Sequence, residues 1–112
     1  MLNIDSDKNI YLTRGDNANI TVVITDMEGT TYVPQEGDKI LFTVKINCET
    51  EDIIMQKNIS VSEVISIMHN DTKDLKYGSY WYDVQVTTSG GGVYTVIGPN
   101  RFNLVKEVTF NV

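Results

Sequence analysis

The chain has 112 residues, 41% hydrophobic and 21% charged, with a formal net charge of −6. A single domain of this length buries roughly two-thirds of its unfolded surface, and no apolar run reaches the ~18 residues of a membrane-crossing helix. Nine Lys and Arg against fifteen acids argue against nucleic acid, whose affinity rests on phosphate contacts.

The opening MLNIDSDKNIYL carries two acids and no apolar block of signal-peptide type, so the expectation is a chain that stays in the cytoplasm of the cell that makes it. Short alternating runs follow, with period two almost throughout. They predict strands over 8–13, 18–25, 39–47, 53–57, 63–68, 79–88, 93–97 and 105–112. In the strongest runs Ile40, Phe42, Val44 and Ile46 alternate with Leu41, Thr43, Lys45 and Asn47, and Tyr80, Tyr82, Val84 and Val86 alternate with Ser79, Trp81, Asp83 and Gln85. One face of each is expected in a core and the other toward water. Turn signals separate the runs: RGDN at 14–17, DMEGT at 26–30, PQEGD at 34–38, NCETED at 47–52, SGGG at 89–92 and GPN at 98–100. The expected fold is one all-β domain over 1–112, an antiparallel sandwich of about seven or eight strands. At most one helical turn, near 71–77, is expected, capped by Asn70 or Asp71.

Arg14-Gly15-Asp16 is the tripeptide of many integrin ligands, but its composition also suits a corner between strands. Gly15 tolerates positive φ, and Asp16 or Asn17 can bond back to the backbone. Gly37-Asp38 repeats the pattern before the 39–47 strand. The expectation is therefore a structural corner. The sequons at Asn19, Asn58 and Asn70 read as chance products of an Asn- and Thr-rich chain.

Catalytic and metal-binding patterns are weak. The single Cys48 has no partner for an internal disulfide and sits among acids that would raise a thiol pKa. A dyad with the single His69 is only formally possible, and His69 lacks the companions of a zinc site. Asp71, Asp74 and Asp83 are conceivable calcium ligands, without the spacing of a known loop. No enzyme activity, cofactor or metal is expected. The outward positions hold one anomaly: Trp81, Leu41 and Val23 all face away from the core and, on neighbouring strands, would make an exposed apolar patch suited to an interface.

In DLKYGSYWYDVQV at 74–86, the series Leu75, Gly78, Tyr80, Tyr82 resembles the immunoglobulin-type tyrosine corner, with Tyr80 as the corner tyrosine and Tyr82 where the second disulfide cysteine would stand. Without the cysteines the resemblance is Ig-like only. Together with IYLTRGD at 10–16, GDKILFTVK at 37–45 and VYTVIGPNRFNLVKEVTFNV at 93–112, it resembles small β-sandwich structural proteins of tailed phages. These include the N-terminal domains of baseplate upper proteins and related tail or fibre adaptors. The resemblance implies a virion or prophage structural role, protein partners (its own copies or other virion components), a possible homo-oligomer, no membrane, and a location in the virion or host cytoplasm. The long fibre or receptor-binding region of baseplate upper proteins has no counterpart in this sequence, which favours an adaptor or decoration protein. The alternative is a module that binds carbohydrate or a host surface, stacking sugar rings on Tyr32, Tyr77 or Tyr94.

Overall fold

A computed structural model describes residues 2–25, 28–49, 52–60 and 62–106. The fold is all-β. Among the described residues eight strands run β1 (Leu2–Ile4), β2 (Ile10–Thr13), β3 (Ala18–Thr21), β4 (Lys39–Lys45), β5 (Ile53–Asn58), β6 (Val64–Ile67), β7 (Gly78–Thr87) and β8 (Val93–Val105), with one helical turn, α1 (His69–Thr72). They form a six-stranded sheet in the order β1-β2-β8-β7-β4-β5 and a two-stranded sheet, β3-β6.

The alternation read from sequence sets the core. Ile40, Phe42 and Val44 of β4 and Tyr82, Val84 and Val86 of β7 are buried on one face of the large sheet. Phe42 lies at its centre, with ring centroids 5.6 Å from Tyr82 and 6.3 Å from Phe102. Ala18, Ile65 and Ile67 of the small sheet join the same cluster, as do Val22 and Ile24 just beyond β3. Thus β3 is shorter than the expected 18–25 strand, yet its continuation keeps its inward side chains: Val22 donates its N–H to Glu63, and Thr25 bridges Thr31.

Three expectations are corrected. The sheet is not purely antiparallel, because β2 pairs with β8 in parallel, Ile10 opposite Phe102. The segment GPN at 98–100 is not a turn between strands: β8 runs through it. The register against β7 shifts between Tyr82 and Val84, so the Gly-Pro signal is absorbed as a bulge, where a proline's missing N–H costs no ladder bond. Gly98 has φ +92°, and a Cβ there would lie 2.6 Å from the Tyr82 carbonyl oxygen. The helical turn begins at His69 rather than 71, because the Asp71 carboxylate reaches back to the Met68 N–H at 2.8 Å. The expected 105–112 strand lies, beyond Lys106, outside the described residues. An additional strand, β1, pairs with β2.

Gly15 and Gly37 occupy equivalent places in two turns. The N–H of Asp16 bonds the Thr13 carbonyl, and that of Asp38 bonds the Gln35 carbonyl. In each, the third residue is the glycine, with φ +84° and +90°, the geometry a type II turn demands. The SGGG segment closes the β7–β8 hairpin through Gly91 N–H to Thr88 and Thr88 N–H to Gly92.

Candidate functional site

The RGD segment is clamped rather than presented. Arg14 donates from Nη1 to the Leu75 carbonyl at 3.0 Å, and its guanidinium lies 4.1 Å from the Tyr77 ring centroid. Gly15 N–H bonds the Thr72 hydroxyl at 2.8 Å, and the Gly15 carbonyl lies 2.6 Å from His69 Nδ1. Asn17 Oδ1 accepts the His69 N–H at 2.7 Å. The corner thus holds α1 in place. Following it, the Tyr80 hydroxyl donates to the Lys76 carbonyl at 2.7 Å, Leu75 packs against the core, and Gly78 opens β7 with φ +144°.

His69 is therefore engaged at Gly15, while Cys48 is exposed in the turn after β4; the two stand in different neighbourhoods. Asp71 is taken by Lys57 Nζ at 2.8 Å, whereas Asp83 faces Lys45. Among the described residues no group of three or more His, Cys, Asp or Glu could hold a metal ion.

The three interface candidates do not form one patch. Trp81 pairs with Lys45 and Leu41 with Gln85, so the two sit on adjacent strands four positions apart. Both are half-buried. Val23 lies outside the large sheet, 62% exposed, on the arm that leads to the Thr25–Thr31 bridge. Extending that register by two residues sets it opposite Val33, 67% exposed. A second aliphatic pair, Ile46 (55% exposed) and Ile53 (49%), sits at the β4–β5 turn.

The outer face of the large sheet is organised in cross-strand rows. One row is Arg101–Trp81–Lys45–Ile53, the next is Asp83–Thr43–Gln56, and a third is Thr95–Gln85–Leu41–Asn58. Side chains link within rows: Gln56 Nε2 donates to the Thr43 hydroxyl at 3.1 Å, and Gln85 Nε2 to the Thr95 hydroxyl at 3.3 Å. The Arg101 guanidinium lies 3.8 Å from the Trp81 ring centroid and donates to the Ser79 hydroxyl at 3.3 Å. Such a cation–π contact, tethered at its far end, fixes the indole's orientation.

Beside the indole is a depression of ≈ 140 Å³ lined by Thr43, Lys45, Asn47, Cys48, Trp81, Asp83 and Pro99, with Tyr82 beneath. Burial pushes the Asp83 carboxyl above its ordinary value, and the Lys45 ammonium offsets this only in part. The β8 bulge brings Pro99 to this place, opposite the register shift in β7.

The tyrosines considered for stacking on sugars are dispersed. Tyr32 is half-buried with its hydroxyl on Asp38, Tyr77 lies under Arg14, and Tyr94 is exposed on β8 with its ring over Gly92. From sequence Trp81 is an interface candidate and Asp83 a conceivable calcium ligand, whereas Thr43, Lys45 and Asn47 are outward positions without a role. Arg101 was missed because GPN was read as a turn; counting by twos back from Leu104 and Phe102 would have set Arg101 and Asn103 on the outer face.

Comparison of the chain with protein-family models, with curated proteins and with solved structures found no match.

Proposed function

We propose that this chain is a non-enzymatic structural or assembly module of a tailed-phage or prophage virion, an Ig-like sandwich of the tail or baseplate adaptor or decoration type that works through protein–protein contacts. The observation that supports the reading is the pair of aliphatic clusters toward opposite ends of β4. Val33 follows Tyr32, which is tied to Asp38 just before β4 begins, whereas Ile46 and Ile53 lie where β4 ends. Seven extended residues separate the two places by about 20 Å. Two different apolar patches allow a head-to-tail contact, which closes into a ring when the rotation between copies permits.

The sheet edges favour contacts through these clusters over strand addition. At one edge β1 has only three residues. At the other, Lys57 of β5 pairs with Phe42 and so points inward, held by Asp71 at 2.8 Å. Short edge strands and inward charges are both devices that discourage edge pairing.

Light scattering coupled to size-exclusion chromatography over a concentration series tests the proposal. A stable oligomer that Val23→Asp dissociates without lowering the monomer's unfolding temperature is the expected result. A monomer at every concentration overturns self-assembly. A second reading, a module that binds carbohydrate or a host surface, is favoured by the hydrogen-bonding side chains around Trp81.

A further inference from the structure

We infer that the depression beside Trp81 is a subsite for one neutral sugar ring, which packs against the indole and hydrogen-bonds Asp83, Lys45 and Asn47. The inference goes beyond the assembly role and uses a different surface from Val23 and Val33.

At ≈ 140 Å³ the depression is small, which suits a single ring better than an extended chain. The depression is open and lies on the solvent face of the sheet, so a ring at the end of a larger glycan can enter without any part of the fold moving.

Lys45 and Asp83 are the charged residues that line the depression, one of each sign. A phosphate or carboxylate ligand would meet Asp83, and an ammonium ligand would meet Lys45. An uncharged ligand with both donors and acceptors meets no such opposition. Asp83 accepts, Lys45 donates, and Asn47 can do both. The Asn47 Oδ1 already accepts the Glu49 N–H at 2.9 Å, which leaves its amide N–H₂ to donate.

Asp83 has its full capacity to accept. It is half-buried, and no hydrogen bond to its carboxylate is present among the described residues. Its oxygens are partly shielded but open to the depression, so the hydroxyls of a sugar can donate to them in place of water. By contrast the indole is ready-made. Arg101 lies over its ring but does not line the depression, so the part of Trp81 turned toward the ligand is not the part that Arg101 covers.

Trp81 is the chain's only tryptophan, so its emission reports the site directly. The intact protein is titrated with glucose, galactose, rhamnose and N-acetylglucosamine, and the same protein is applied to a glycan array. The expected result is a saturable emission change with at least one sugar, weakened about tenfold in Asp83→Asn, as loss of a charged hydrogen-bond acceptor requires. Lys39→Ala, at the other end of β4 from Lys45 and far from the depression, should leave it unchanged. If Asp83→Asn disturbs the fold, Asn47→Ala on an exposed turn provides the same comparison. A merely linear response to every sugar together with an empty array overturns the site. So does saturable binding that neither variant weakens. Capture of a peptide or protein at Trp81 in place of sugar overturns the ligand class. Because the mass in solution is read separately, a monomer that binds sugar refutes self-assembly alone, and an oligomer that binds none refutes the subsite alone.

Discussion

The aspartates at the turns and the aspartate on the sheet face obey opposite rules. Asp38 accepts from the Tyr32 hydroxyl, from Gln35 N–H and from Ser89 N–H, and these bonds hold its carboxyl below the ordinary value. For Asp71 burial pulls upward, but the Lys57 ammonium and the Met68 N–H outweigh it and the net direction is down. Asp83 has burial without such donors, and its carboxyl is pushed up. Each turn acid joins two parts of the chain, Asp38 the 32–38 loop to the β7–β8 hairpin and Asp71 α1 to β5. Asp83 makes no such bond among the described residues and has only the nearby charge of Lys45. A group that costs stability and fastens no structure is where a binding role is to be sought.

The largest test of this contrast is a control on the opposite face of the same strands. Phe42→Ala empties the centre of the core and should cost about 3–5 kcal/mol in denaturant unfolding, against almost nothing for Thr43→Ala beside it. Gly98→Ala comes next. Positive φ and the approach of the Tyr82 carbonyl should together cost on the order of 2 kcal/mol, and because the strain falls at the bulge it should also alter Trp81 emission. Tyr80→Phe deletes the bond to Lys76 and should cost about 1 kcal/mol, with no effect on that emission.

The two aspartates themselves supply a finer pair, separated by sign. Asp71 has a folded pKa below its ordinary 3.8, so its stabilisation is fully present above that value and is lost as pH falls through the lower, folded pKa. Asp71→Asn should lower stability at neutral pH, by up to about 1 kcal/mol, and make no difference at the acid end of a thermal-unfolding series. The folded pKa of Asp83 lies above 3.8, so its contribution is fully present below 3.8 and is lost as pH rises through the raised value. Asp83→Asn should therefore be slightly stabilising at neutral pH, the smallest of these effects and the only one of this sign. If Asp83→Asn destabilises at pH 7, the contrast between turn and face fails.

The inner face was legible in the sequence because burial is what period two encodes: Ile40, Phe42, Val44, Tyr82, Val84 and Val86 all stand where alternation puts them. The corner at 14–16 was legible through glycine and aspartate, whose preferences act over four residues. The depression was not, since it is made by side chains from β4, β7 and β8 that meet only through register. Two local events decided it, the bulge that carries β8 past Gly98-Pro99 and the contact of Arg101 with Trp81. Neither follows from composition: Gly-Pro is a turn signal in most contexts, and only pairing with β7 converts it to a bulge. Parallel pairing of β2 was hidden for the same reason, as nothing in IYLT names its partner.

That parallel pairing bears on how the chain acquires its shape. Asn103 Nδ2 bonds the Ile10 carbonyl across 93 positions. Closing a loop of that length costs about 4 kcal/mol of chain entropy, against roughly 1.4 kcal/mol for a five-residue reversal such as 88–92. The β7–β8 hairpin and the β4–β7 ladder can therefore assemble early, while β1 and β2, although made first, wait for the last strand of the described sheet. On the ribosome they can pair with each other, but the second edge of β2 has no partner until β8 clears the exit. Capture of the N-terminal hairpin by β8 is therefore expected late in folding, and stopped-flow refolding should be slowed more by mutations in Leu12 or Leu104 than by mutations at 89–92.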